Sequence, residues 1–141
     1  MKKLAVSLVA IVSAIIMCFA LTACTPKVAG KSYEFDKVEV EGTYPDSIKS
    51  LVDTAVNKIN DNYKGGYMEF NKDGKVESFL NNTSVGTSYY KQDGKDIYIS
   101  QKEGEFGDKP TAKVDGKNVI VSNSQTIGTT SVTINIVYKQ K

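Results

Sequence analysis

The chain has 141 residues, enough for one domain with a single core, and carries 18 lysines against 16 acidic residues. It contains no histidine, arginine or tryptophan, and both of its cysteines lie within the first 24 residues. A near-neutral balance gives no global field for nucleic acid, and the lack of arginine removes the usual bidentate ligand for phosphate. Without histidine or a later cysteine, the common nucleophile–base pairs are missing. Composition therefore predicts a protein that is not an enzyme and does not bind nucleic acid.

The first 23 residues have the pattern of an export signal. Lys2 and Lys3 form a short positive segment, and residues 4–21 are uncharged and mostly apolar. About 18 such residues is close to the minimum for a membrane-spanning helix, so a retained anchor helix is the alternative. Removal of residues 1–23 would leave a mature chain with 16 lysines and 16 acidic residues.

The end of this stretch, Leu21-Thr22-Ala23-Cys24, resembles the lipobox of bacterial lipoproteins, in which small residues precede an invariant cysteine. The resemblance implies transfer of a diacylglyceryl group to the Cys24 thiol, cleavage before Cys24, and anchoring on the extracytoplasmic face of the cell membrane. Two or three acyl chains give lasting attachment. The expected divisions are a signal peptide at 1–23, a lipidated cysteine and tether at 24–31, and one domain at 32–141.

Residues 45–63 have the periodicity of an amphipathic helix. Their apolar residues recur at helical spacing and form one stripe: Ile48, Leu51, Val52, Ala55, Val56, Ile59 and Tyr63. Pro45 suits the first turn, Thr43 with Asp46 resembles a capping box, and Gly65-Gly66 ends the helix. Because the polar face is mixed in charge, the pattern favours a helix that covers a barrel or sheet over one that lies on a membrane.

Three Asp-Gly-Lys triplets, at 73–75, 93–95 and 115–117, lie between strand-like runs. Asp-Gly supplies the positive φ that tight hairpin turns require. The triplets predict three hairpins, with strands at 67–71 and 75–80, at 85–91 and 96–101, and at 110–114 and 117–122. Apolar alternation predicts further strands at 32–41 and 132–138. Longer connections are expected at 81–84, 103–108 and 123–128.

Eight short antiparallel strands in succession predict a mostly β fold, an eight-stranded up-and-down barrel with one helix between strands one and two, because closure removes exposed strand edges. Gly30-Lys31-Ser32-Tyr33 resembles the Gly-x-Trp opening of lipocalins, with Tyr in place of Trp. The Phe-x-x-Asp-Gly and Tyr-x-x-Asp-Gly turns resemble those of small bacterial lipocalin-like lipoproteins. The resemblance covers residues 30–139 and implies that the helix is a lid or plug at the ligand entrance. Alternating strand direction separately predicts that the tether and the three Asp-Gly turns lie at the opposite end.

Two acidic motifs are weak candidates for chemistry. Glu103 and Glu105 could formally serve a two-carboxylate mechanism, but their Gly-rich loop is typical of a solvated turn. Residues 69–74 imitate the first half of an EF-hand loop, yet the twelfth position would be Leu80 rather than glutamate. The sequence therefore predicts a hairpin turn there, with no metal and no cofactor.

Interior positions of the predicted barrel lead to two competing functions. The candidate ligand-binding residues are Met68, Phe70, Ser88, Tyr90 and Ile97, with Ser88 and Tyr90 orienting a small apolar or amphipathic ligand. Alternatively these side chains fill a solid barrel, and the helix and far loops bind an envelope protein. A void under the helix would favour the first function, and an exposed apolar patch at the far loops would favour the second.

Lysines are expected to gather at the end that carries the Asp-Gly turns. The interpretation with fewest assumptions is that they keep the turns soluble, since aspartates partly neutralise them. The alternative is contact with an anionic membrane or wall polymer, because lysines near such a surface are attracted to it.

Overall fold

The structure is a computed structural model that describes residues 25–141. Its elements in chain order are β1 (Lys31–Glu41), α1 (Asp46–Tyr63), β2 (Gly66–Phe70), β3 (Lys75–Leu80), β4 (Thr83–Asp93), β5 (Asp96–Ser100), β6 (Ala112–Asp115), β7 (Asn118–Ile127) and β8 (Thr130–Gln140). The predicted signal peptide and Cys24 lie outside the described residues. Among the residues described, no helix has the length and apolar content needed to cross a membrane.

Each strand pairs antiparallel with the next one along the chain, and β1 also pairs with β8, so the sheet closes into a barrel. The closing pair runs from Tyr33 opposite Gln140 to Glu41 opposite Thr133, with one bulge between Phe35 and Lys37. This confirms the predicted fold class, an eight-stranded antiparallel barrel with a single helix between strands one and two. All described strand pairs lie within residues 31–140, and we expect a chain beginning at Thr25 to fold without the preceding residues.

The three Asp-Gly hairpins form as predicted. Gly74, Gly94 and Gly116 have φ of +84°, +58° and +58°, a region that other L-residues adopt only with strain. At the first turn the Asp73 carboxylate accepts a hydrogen bond from the Lys75 amide at 3.2 Å. The segment that imitates an EF-hand is therefore a hairpin turn.

Two of the predicted longer connections are wrong, because both are tight turns. Asn81 and Asn82 form a two-residue turn with φ of +50° and +62°, which asparagine tolerates better than most residues. Near the end of the chain β7 continues to Ile127 and only Gly128 and Thr129 separate it from β8. The connection between β5 and β6 is the long loop that was expected.

Residues 123–127 of β7 were predicted to lie in a loop, because apolar and polar residues do not alternate there. In the barrel these side chains form hydrogen-bonded pairs with β8. The hydroxyls of Ser124 and Thr133 share a hydrogen bond at 3.1 Å, and those of Thr126 and Ser131 share one at 3.5 Å. Cross-strand polar pairs of this kind stabilise a strand without a hydrophobic face.

The predicted capping box at the start of α1 does not form. Pro45 occupies the N-cap position in an extended conformation, and no side-chain hydrogen bond caps the helix. Proline has no side-chain oxygen to offer the first free amides. Asp46 instead lies in the first turn, where its negative charge favours the helix dipole.

The alternation of strand direction gives the barrel two distinct ends. The turn end comprises residues 25–31, the hairpin turns at 71–75, 93–96 and 115–118, and residues 139–141. The helix end comprises α1, the Asn81-Asn82 turn, the β5–β6 loop and the β7–β8 turn. The buried core lies toward the turn end, and its members are Val28, Tyr33, Met68, Phe70, Val76, Ile97, Ala112, Val114, Val119 and Tyr138.

The predicted tether is docked to the barrel. Val28 is fully buried, and its amide donates to the Gln92 side-chain oxygen at 3.0 Å. The Gln92 amide nitrogen donates to the carbonyls of Pro26 and Gly94, both at 2.8 Å. We call this set of contacts the tether clamp. It leaves Thr25 as the one described residue before the clamped Pro26.

Candidate functional site

The helix end of the barrel contains an apolar pocket with a volume of about 120 Å³. We call it the mouth pocket. Its floor includes Met68 and Tyr138, which are also members of the core. The full lining is Asn62, Tyr63, Gly66, Tyr67, Met68, Ser78, Phe79, Leu80, Val85 and Tyr138.

A glycine pair brings the helix against this pocket. Gly65 has φ of +77°, which turns the chain sharply after α1. A Cβ atom on Gly66 would lie 2.9 Å from the Tyr63 carbonyl oxygen, so a larger residue would force the helix away from β2. The pair therefore does more than end the helix, because it places Tyr63 directly at the pocket.

A bulge in the β3–β4 ladder shapes the opposite wall. Ser78 pairs with Gly86 and Phe79 pairs with Ser84, which leaves Val85 as an extra residue in β4. Bulges redirect side chains locally. Val85 is 63% exposed and lines the pocket, so it forms part of an apolar rim open to solvent.

Three aromatic rings join the helix to the barrel interior. The Phe35 ring lies 6.3 Å from the Tyr63 ring and 6.1 Å from the Tyr138 ring, the second contact being edge-on. Tyr138 is buried, whereas Tyr63 is 42% exposed. Aromatic contacts at these distances are favourable, and they tie the last turn of α1 to the barrel.

Burial has a large effect on the ionisation of Tyr138. Loss of hydration, and secondarily the neighbouring Tyr63 phenol, raise the pKa of Tyr138 to about 12 from an ordinary value of 10.0. A tyrosine phenol is already neutral at physiological pH, and burial extends that neutral range upward, so Tyr138 can act as a hydrogen-bond donor at the pocket. A neutral donor beneath an apolar rim suits a ligand with one polar atom and an apolar body.

The raised pKa of Tyr138 predicts that the folded protein loses stability at high pH. The unfolded chain ionises Tyr138 near pH 10, while the folded chain keeps the proton until about pH 12. Between these values the unfolded state binds fewer protons, so the free energy of unfolding should fall by about 1.4 kcal/mol per pH unit from this group. Urea unfolding of the wild type and of Tyr138→Phe across this window measures the difference. Identical pH dependences in the two proteins would contradict the shift.

The residues predicted to bind a ligand do not come together in the mouth pocket. Met68 lines it, but Phe70 and Ile97 are buried deeper in the core. The Tyr90 hydroxyl donates to the Asn71 carbonyl at 2.7 Å, at the turn end, and the Ser88 hydroxyl accepts a hydrogen bond from Gln101. A ligand role for these four residues stays a prediction from the sequence.

Sequence reasoning missed most of the pocket lining. Tyr63 could have been found, because it ends the apolar stripe of the helix. Val85 and Ser78 could not, because their position depends on a bulge that no turn residue marks. The alternation of strand eight places Tyr138 on the same face as Ile134 and Ile136, but its burial in the core and its place near the helix follow from barrel closure.

Below the pocket the barrel is filled by side chains. Tyr33 is fully buried, its ring meets Phe70 edge-on at 5.7 Å, and its hydroxyl has no hydrogen-bond partner within the described part of the chain. An unpaired buried hydroxyl costs about 1–3 kcal/mol. Burial also raises the pKa of Tyr33. A ligand confined to the mouth pocket would leave the packing of Tyr33 against Phe70 undisturbed.

The size of the mouth pocket limits what it can hold. An engineered apolar cavity of about 150 Å³ binds benzene, while pockets for drug-sized ligands span about 300–1,000 Å³. The mouth pocket therefore fits a short apolar group rather than a whole lipid. The helix packs on the barrel through only part of its apolar stripe, because Val52 is buried whereas Leu51 is 58% exposed.

The described chain is a closed antiparallel barrel with one helix, and the mouth pocket lies beside the last turn of that helix. No protein-family profile matches the sequence, and comparison with curated proteins gives no match. The structure is similar to the crystal structure of a DUF4847 family protein from Bacteroides vulgatus, with a TM-score of 0.40 and 12% sequence identity. The match covers 77% of this chain and 93% of that chain. At this level the similarity carries no functional argument.

Proposed function

We propose that the mature protein is a membrane-anchored, extracytoplasmic binding protein without enzymatic activity, attached through lipid on Cys24. It holds the apolar end of a small apolar or amphipathic ligand in the mouth pocket. The observation that supports binding is the pocket itself, whose rim at Val85 is exposed and whose floor carries the neutral Tyr138 phenol. The lipobox resemblance supports the anchor.

Native mass spectrometry tests the ligand directly. A chain beginning at Thr25, purified without detergent, should carry a reproducible added mass that disappears on denaturation. Val85→Asp should weaken binding by about tenfold or more, because the ligand would then desolvate a carboxylate at the rim. Thr83→Asp is the matched control, since Thr83 is exposed in the same hairpin and does not line the pocket. A clean apo mass, unchanged after incubation with envelope lipid extract, would refute the carrier function.

A protein partner is the second candidate, and two exposed apolar residues favour it. Leu51 is 58% exposed and Val85 is 63% exposed, and both lie at the helix end. Contiguous exposed apolar patches mark interaction sites, whereas single exposed apolar residues are common. The observation that favours a partner is therefore that both side chains lie at the same end of the barrel. If the apo mass is clean, crosslinking from a site beside Leu51 in cells should capture one partner, and Leu51→Asp should abolish the crosslink.

A further inference from the structure

The turn end of the barrel is positively charged although the mature chain as a whole is neutral. The segments that define the turn end contain eight lysines and four aspartates. The lysines are Lys27, Lys31, Lys72, Lys75, Lys95, Lys117, Lys139 and Lys141, and the aspartates are Asp73, Asp93, Asp96 and Asp115. All of these lysines except the half-buried Lys31 are exposed.

The opposite end has the reverse sign. Residues 41–66 and 101–111 contain five lysines and seven acidic residues. The lysines are Lys49, Lys58, Lys64, Lys102 and Lys109, and the acids are Glu41, Asp46, Asp53, Asp61, Glu103, Glu105 and Asp108. The barrel therefore has a permanent electrostatic polarity along its axis, and an anionic surface would attract the turn end and repel the helix end.

The tether clamp places the positive end where a lipid anchor would be. The Gln92 amide holds the Pro26 carbonyl at 2.8 Å, and Val28 is fully buried in the core. Only Thr25 lies between Cys24 and Pro26, so the Cα atoms of these two residues are at most about 7 Å apart. Charges interact across about one Debye length, which is about 8 Å at physiological salt, so an anchor this short would bring the turn end close enough to the headgroups for its charge to act on them.

We propose that the turn end is a docking surface for anionic lipid headgroups, and that the tether clamp fixes the barrel upright on the membrane with the mouth pocket facing away. This inference rests on the anchor of the proposed function but not on its ligand. Because strand direction alternates, the three Asp-Gly-Lys turns, with their lysines, all lie at one end of the barrel. The same end receives residues 25–31 and 139–141, so charge and tether converge on it.

Amine footprinting of the lipoprotein purified from membranes tests the orientation. The protein is inserted into preformed vesicles of phosphatidylcholine, with or without phosphatidylglycerol, and treated with an amine reagent that does not cross bilayers. Labelling of Lys72, Lys95 and Lys117 should fall about fivefold on the anionic vesicles and recover in high salt. The helix-end lysines Lys49 and Lys109 serve as internal controls and should label equally on both. Equal labelling of the turn-end lysines would overturn the proposal.

Charge reversal gives a matched pair of variants. Lys72→Glu, Lys95→Glu and Lys117→Glu together should abolish the protection of the remaining Lys27. The corresponding triple change at Lys49, Lys58 and Lys109 should leave that protection intact. Far-UV circular dichroism checks that both variants are folded, and persistent protection of Lys27 in the first variant would contradict headgroup attraction.

Failure of the anchor can be distinguished from failure of the docking surface. Flotation with phosphatidylcholine vesicles measures attachment through the acyl chains on Cys24 alone, because these vesicles carry no net charge. If the protein does not float with them, flotation with phosphatidylglycerol vesicles still measures the headgroup interaction, and its absence overturns the proposal. Protection that appears only when an anionic wall polymer is added would assign the surface to that polymer and overturn the membrane assignment.

Discussion

Phe70→Ala should destabilise the barrel by about 3–5 kcal/mol, a large share of the 5–15 kcal/mol that usually holds a domain of this size. Phe70 is 1% exposed and lies where β2 meets the turn end. Its ring meets Tyr33 at 5.7 Å and Tyr90 at 4.9 Å, both edge-on. Truncation would remove both contacts and leave a cavity that the closed sheet cannot collapse to fill. Urea unfolding followed by circular dichroism measures the loss.

Phe106→Ala is the matched control for this prediction. Phe106 is half-buried in the β5–β6 loop, where the Lys91 ammonium lies 5.2 Å from its ring. Removal of the Phe106 ring should lower the free energy of unfolding by less than about 1 kcal/mol, which is the size expected for an exposed cation–π contact. If the two variants lose the same free energy of unfolding, the prediction is wrong, and the core around Phe70 must collapse to fill the cavity.

Cys24→Ser should abolish incorporation of labelled palmitate into the protein. The lipobox resemblance assigns the acyl chains to the thiol of this residue, and a serine hydroxyl does not accept the diacylglyceryl group. Metabolic labelling followed by immunoprecipitation measures the incorporation, and intact-mass analysis reports whether residues 1–23 have been removed. The variant should also retain its signal peptide, since cleavage is expected to follow lipid transfer.

Cys18→Ser provides the control, because Cys18 is the other cysteine of the chain and lies within the predicted signal. This variant should incorporate palmitate at the wild-type level and yield the same mature mass. Palmitate that persists in Cys24→Ser but is lost in Cys18→Ser would place the lipid on the signal segment and refute the lipobox.

The barrel was predictable because its local signals agree with one another. The Asp-Gly turns set the hairpins, the stripe from Ile48 to Tyr63 set the helix, and eight antiparallel strands in succession implied closure. The errors came from residues whose conformation depends on a partner far along the chain. Ser124 belongs to a strand only because Thr133 lies opposite, and no pattern in residues 123–128 reveals this.

The candidate sites were less predictable than the fold. Tyr63, Val85 and Tyr138 belong to three distant segments, and they meet only through a helix, a bulge and the closing strand pair. Gln92 likewise carries no periodic signal, because its role depends on three main-chain partners that the barrel brings within reach. Sequence reasoning finds elements, whereas these sites arise from contacts between elements.

The pairing of β1 with β8 also has a consequence for when the protein can fold. Tyr33 lies opposite Gln140, so the ring of strands cannot close until both β1 and β8 have been synthesised. Pairings between such distant segments slow folding, because the entropy of closing the loop is lost before the contacts form. If the chain crosses a membrane unfolded, as the proposed export through a channel requires, the barrel would close only after β8 has emerged.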